Sequence, residues 1–183
     1  LPVLVRAAFA TRAIRQEHAR KMKLAKGRSP LYGLMPPSFG DGGLPDAYVF
    51  IQNIGPLAGV HAALLAAREL QSPDAGWLEA EYSEFREAIL LAIESSKLKV
   101  DGVEVVPGFP GAPISELHRG LWGTVMSVHP YRELAPHDPA ALGTLSRLQR
   151  RTNEAGLHLD LGYSEGVWPY MSADIAFWHI MLG

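Results

Sequence analysis

Residues Gly162-Tyr163-Ser164-Glu165-Gly166 spell GxSxG, the pattern that exposes a serine nucleophile at a sharp strand-to-helix turn. Such a serine needs an acid and a histidine further along the chain, and Asp174 and His179 are the candidates. The segment around them reads as one strand, where a five-residue separation points two side chains to opposite faces. Pro169 follows the pattern closely and opposes a helix directly after the serine. A serine hydrolase using Ser164 is therefore a subordinate reading. The seven histidines are scattered. His129 and His137 flank a loop, while His158 and Asp160 share a strand face and make two metal ligands without a third. A hydrogen-bonded or exposed side chain is the simpler role for each, and His61 reads as a partly buried helix residue. Glu79, Glu81, Glu84 and Glu87 read as the solvated face of a helix. Neither GxxxxGK[ST] nor GxGxxG occurs, and Gly40-Asp41-Gly42-Gly43 reads as a turn. With no cysteine, thiolate chemistry, disulfides and cysteine-ligated metals are excluded.

The elements that must position these groups belong to a chain of 183 residues, 48% hydrophobic and 20% charged, which is globular composition and enough for one continuous core. A formal charge of -2 argues against nucleic acid as a partner. Arg12, Arg15, Arg20, Lys21, Lys23, Lys26 and Arg28 cluster early and read as a solvated helix face with its exit loop. No apolar run is long enough to span a bilayer, and the first residues do not form a signal peptide. A cytoplasmic location without membrane association is the expectation. The start at Leu1 suggests a processed or excised piece.

Pro2 to Met22 reads as a helix with Val5, Phe9, Ala13 and Glu17 along one face and Leu4 and Ala8 beside it. A Gly/Pro-rich segment from Gly27 to Pro45 reads as a covering loop. Ala47 to Ile54 alternates and is rich in β-formers, which predicts a strand, with a helix opening at Gly55-Pro56. A helix from about Trp77 to Ser96 turns Leu78, Tyr82, Phe85, Ile89 and Ile93 inward. Lys97 to Val106 predicts a hairpin turning at Asp101-Gly102. Then come a strand from about Thr124 to Tyr131 and a helix from Asp138 to Ala155, capped by Asp138 and stopped by Gly156. Strands over Leu157 to Tyr163 and Ala173 to Leu182 complete an α+β fold, an antiparallel or mixed sheet covered by helices.

Several segments, in order, resemble the substrate-binding cap domain of the vanillyl-alcohol oxidase and p-cresol methylhydroxylase family of flavoproteins. They are LPVLVRAAFATRA, AYVFIQNIGPLAGVHAAL, PISELHRGLW, GTVMSVHP, RTNEAGLHLDLG and MSADIAFWHIML. Gln71 to Pro110 matches poorly, and Ser164 to Tyr170 reads as an insertion. The resemblance implies a ferredoxin-like cap spanning the whole chain as a single domain. It also implies FAD held mainly by a domain or subunit outside this chain, and oxidation of a small phenol or aromatic alcohol. Ser127, Leu159, Gly162, Phe177 and His179 fall at positions lining the family's substrate cavity. Glu116, Trp122 and Val125 fall where the cap meets the cofactor. Val125 stands where some members carry a flavin-linked histidine and Gly120 where others carry a linked tyrosine, so the flavin would be non-covalent.

The reading is thus the substrate-binding part of an FAD-dependent oxidoreductase, inactive without its flavin-binding partner. A non-enzymatic α+β module that binds a small ligand or another protein is the alternative. Self-association into a homo-oligomer is left open.

Overall fold

The computed structural model describes residues 1–37, 46–117, 121–150, 152–155, 157 and 168–183. Among them it shows six α-helices and one antiparallel hairpin, an α+β arrangement in which helices predominate. Helix α1 (Pro2–Lys21), α2 (Ile51–Glu69) and α3 (Ala75–Ser96) form the first half. Strands β1 (Leu98–Val100) and β2 (Val103–Val105) follow, then α4 (Trp122–Val128), α5 (Pro139–Gln149) and α6 (Pro169–Leu182).

The expected long helices are present because local signals and packing agree. Pro2 occupies the first turn of α1, where its missing N–H costs nothing. In α3 the apolar positions Leu78, Phe85, Ile89 and Ile93 recur at helical spacing and are all buried. Asp138 caps α5, its Oδ1 accepting from Ala140 N and Ala141 N at 3.0 Å each. That helix ends at Gln149, earlier than the expected Ala155. The hairpin pairs Leu98 with Val105 and Val100 with Val103. Its turn places Asp101 at φ 52° and Gly102 at φ 82°, the left-handed pair that a two-residue hairpin requires.

Three expected strands are helices. Ala47 to Ile54 is not a strand: α2 begins at Ile51 and carries Pro56 inside it. The stretch from Thr124 to Tyr131 contains α4 and the turn after it. Ala173 to Leu182 lies in α6. In each case β-branched and aromatic content suggests a strand, but burial against neighbouring helices decides the outcome. Gly123 shows how closely α4 approaches α2, since a Cβ there would lie 3.1 Å from the Ile51 backbone nitrogen. Pro169 starts α6 at its first turn, the position proline favours. Among the described residues the sheet is this two-stranded antiparallel hairpin covered by helices, and the α+β class holds. Of the expected strand from Leu157 to Tyr163, residues 158–163 lie outside the described ones.

The main core gathers Ile54 and Leu57 of α2, Phe85 and Ile89 of α3, Val105 of β2, Val125 and Val128 of α4, Leu145 and Leu148 of α5, and Trp178 of α6. A second cluster joins Ala8 of α1 to Val60, Leu64 and Leu78. The face expected for α1 is therefore rotated: Phe9 is exposed, while Ala8, Arg15 and Ala19 are buried. Arg15 lies across the Phe85 ring, 3.9 Å from its centroid. It donates to the Gly33 carbonyl at 2.5 Å and pairs with Glu81. Neither belongs to a solvated face, as their neighbours' charge suggested; both are almost wholly buried. Among the described residues no helix is long and apolar enough to cross a membrane.

Candidate functional site

Helices α4 and α6 pack side by side in the same sense, because Trp122 at the start of α4 meets Trp168 before α6, and His129 just after α4 meets Asp174 and Phe177 further along α6. Trp122 and His129 are seven residues apart, two helical turns or about 10 Å. On α6 the spacing of Tyr170, Asp174 and Phe177 puts them on one face. The seam between the helices is lined by rings. Trp122 and Trp168 stack at 5.7 Å between centroids, and Trp168 lies 5.2 Å from Tyr170.

At the other end of the seam, His129 Nδ1 lies 3.0 Å from Asp174 Oδ1. The imidazole lies nearly parallel to Phe177, at 4.6 Å and 12°. Both members of the pair keep about a fifth of their side-chain surface, and Phe177 is half exposed. A carboxylate on one ring nitrogen fixes the tautomer and the plane of an imidazole. This leaves Nε2, which has no partner among the described residues, as the group able to accept or deliver a proton. The sequence reading missed the pairing because it placed Asp174 on a strand. On a helix, Asp174 and His179 are about 140° apart around the axis, and His179 Nε2 instead lies 3.0 Å from Gln149 Nε2. Pro169 at a first helical turn was the signal that would have placed Asp174 on this face.

The other expected site residues divide between seam and core. Trp122 and Phe177 lie on the seam, and His179 on α6 at the surface beside Gln149. Ser127 is buried and donates to the Gly123 carbonyl at 2.5 Å. Val125 is fully buried in the main core. Leu159, Gly162, Gly120, Ser164, His158 and Asp160 lie outside the described residues, as does the side chain of Glu116. Val125 has no exposed surface, so a flavin ring could reach it only by opening the core. No cluster of three or more His, Asp or Glu suited to a metal occurs among the described residues.

A second group of charges gathers around Glu133, in the loop that follows α4. Glu133 is buried, and its Oε2 accepts from Tyr82 Oη at 2.9 Å and from Arg86 Nε at 3.3 Å. His61 Nδ1 approaches Oε1 at 3.3 Å without the alignment of a hydrogen bond. His61 also stacks on Tyr82 at 4.4 Å and is partly buried, as expected. Burial and the neighbouring carboxylate push the Tyr82 phenol up to about 12. The loop is held from within, since Glu133 N and Leu134 N both donate to the Ser127 carbonyl, at 2.7 and 2.9 Å.

No family model matches this chain, and no curated protein or solved structure is significantly similar to it.

Proposed function

We propose that this chain binds a small aromatic molecule along the α4–α6 seam, with His129, oriented by Asp174, as the acid–base group that meets the ligand's hydroxyl. The observation that carries this reading is the His129–Asp174 pair at 3.0 Å beside a half-exposed Phe177 ring. A ring-lined seam that ends in the His129–Asp174 pair suits an organic ring better than a sugar or phosphate. Stacking against Phe177 would hold the ring, and the imidazole would select a group that can give up a proton.

Trp122 and Trp168 sit on the seam and report binding by their fluorescence. Titration with 4-hydroxybenzyl alcohol should quench them saturably. Phe177→Ala should weaken binding about threefold to tenfold, the worth of one aromatic contact. Asp174→Asn should weaken it too, by releasing the imidazole from its orientation. A titration that never saturates, or a Phe177→Ala protein that binds like the parent, removes the reading.

The oxidoreductase reading is the alternative for the same seam, favoured by the placement of Trp122 and Phe177 together on it. There the bound phenol or aromatic alcohol would be oxidised by FAD held on a separate domain or subunit, and this chain alone would be inactive. It requires a flavin-binding domain encoded beside this chain and a yellow reconstituted pair that bleaches with substrate. A colourless pair rules it out.

A further inference from the structure

The exposed side of α3 forms one wall of an open groove of about 790 Å³, lined by Tyr82, Ser83, Arg86, Leu90, Leu91 and Arg132, with Glu87 and Glu94 also on its wall. Their spacing along α3 is that of a single helical stripe, and Arg132 approaches from the loop after α4. Both acids on this wall are already paired. Glu87 Oε2 lies 3.4 Å from Lys26 Nζ, and Glu94 Oε2 lies 2.5 Å from Lys97 Nζ. Arg86 is committed as well, through Nε to the Glu133 carboxylate and through Nη2 to the Glu133 carbonyl at 3.1 Å. Arg132 alone remains. It has no partner among the described residues, and its side chain lines the groove beside two leucines.

The backbone of Arg132 adds a second, independent observation. Its φ is +58°, a left-handed conformation that a long side chain adopts at a cost and glycine adopts freely. Among the described residues nothing pairs with the guanidinium, and the groove it lines also carries Leu90 and Leu91. Strain of this kind is retained where the side chain is needed in one place. A guanidinium presents a planar fork that matches a carboxylate, and Leu90 and Leu91 offer apolar contact next to it.

We infer that the α3 groove is a second binding site, separate from the seam, which takes an organic acid: a carboxylate on Arg132 and an apolar body along Leu90 and Leu91. Arg86 stays paired with Glu133, so among the described residues of the groove the carboxylate is met by Arg132.

Three probes of one shape test this: 4-phenylbutyrate, its neutral amide and 4-phenylbutylamine, each titrated into the whole chain by NMR. The acid should bind about tenfold more tightly than the amide, and the amine most weakly. Arg132→Gln should reduce the acid to the level of the amide. Arg132→Gly should do the same while raising the thermal midpoint, because glycine relieves the left-handed strain. Phe177→Ala, on the seam, should leave the acid's affinity unchanged. The inference is overturned if the amide or amine binds as well as the acid, if either Arg132 variant keeps the preference, or if none of the three probes binds.

Discussion

Arg15 and Glu81 show what a single buried pair costs and secures. Burial pulls the Arg15 guanidinium down and pushes the Glu81 carboxyl up, against their mutual attraction. The charged forms persist because each is the other's partner and because Gly33 supplies a further acceptor. Removing Arg15 leaves Glu81 with only the half-exposed Arg12, 3.5 Å away: Arg15→Met alone should cost about 3 kcal/mol in urea unfolding. Arg15→Met with Glu81→Leu should recover most of that loss, and a double variant as weak as the single one would mean that the pair itself stabilises the fold. Tyr82 offers a spectroscopic counterpart. Its phenol should remain un-ionised in alkaline titration until about pH 12, and Tyr82→Phe should delete that last step from the absorbance curve. Neither residue stands out in the sequence. Arg15 sits in the early basic cluster and Glu81 among Glu79, Glu84 and Glu87, and charge patterning alone treats all of them as solvated.

At the level of elements, the legible parts were those where short-range signals act alone. α1 shows its proline start, α3 its helical spacing, α5 its aspartate cap, and the hairpin its Asp-Gly turn. α4, α6 and the start of α2 were read as strands because valine, threonine and aromatic residues dominate them. Only contacts made after folding reverse that preference, such as the Trp178 indole donating to the Pro136 carbonyl at 3.1 Å. The seam inherits this difficulty, since half its residues stand on α6. One contact between elements is stringent. At Gly143 a Cβ would fall well inside van der Waals contact distance of the Glu104 carbonyl oxygen and 2.7 Å from Val103 Cγ1. Gly143→Ala should therefore force β2 off α5 and destabilise the protein by about 3 kcal/mol. Asp138→Ala, at the cap of the same helix, should cost about 1 kcal/mol. Unfolding midpoints in urea rank the two, and a mild Gly143→Ala would mean that the hairpin is free to shift.

For the molecule as a whole, stability should depend on pH through His18, whose Nε2 lies 2.9 Å from Tyr48 Oη. Burial lowers this imidazole below its ordinary 6.5, so the folded state favours the neutral ring. The unfolded chain then binds more protons, and stability rises with pH across this range. The contribution is complete above about 6.5 and is lost as the pH falls from there through the lowered folded value. Thermal midpoints should drop on the acid side of 6.5, and His18→Gln should flatten that part of the profile. An unchanged profile would assign the acid limb to other groups. The six residues from His129 to Leu134 join the seam to the α3 groove and are tied back to α4 through the Val125, Met126 and Ser127 carbonyls. A solute that grips Arg132 pulls on the strap that carries His129. Filling the α3 groove should therefore move the His129 ring resonances, making the imidazole a reporter for a site on the other side of its own loop.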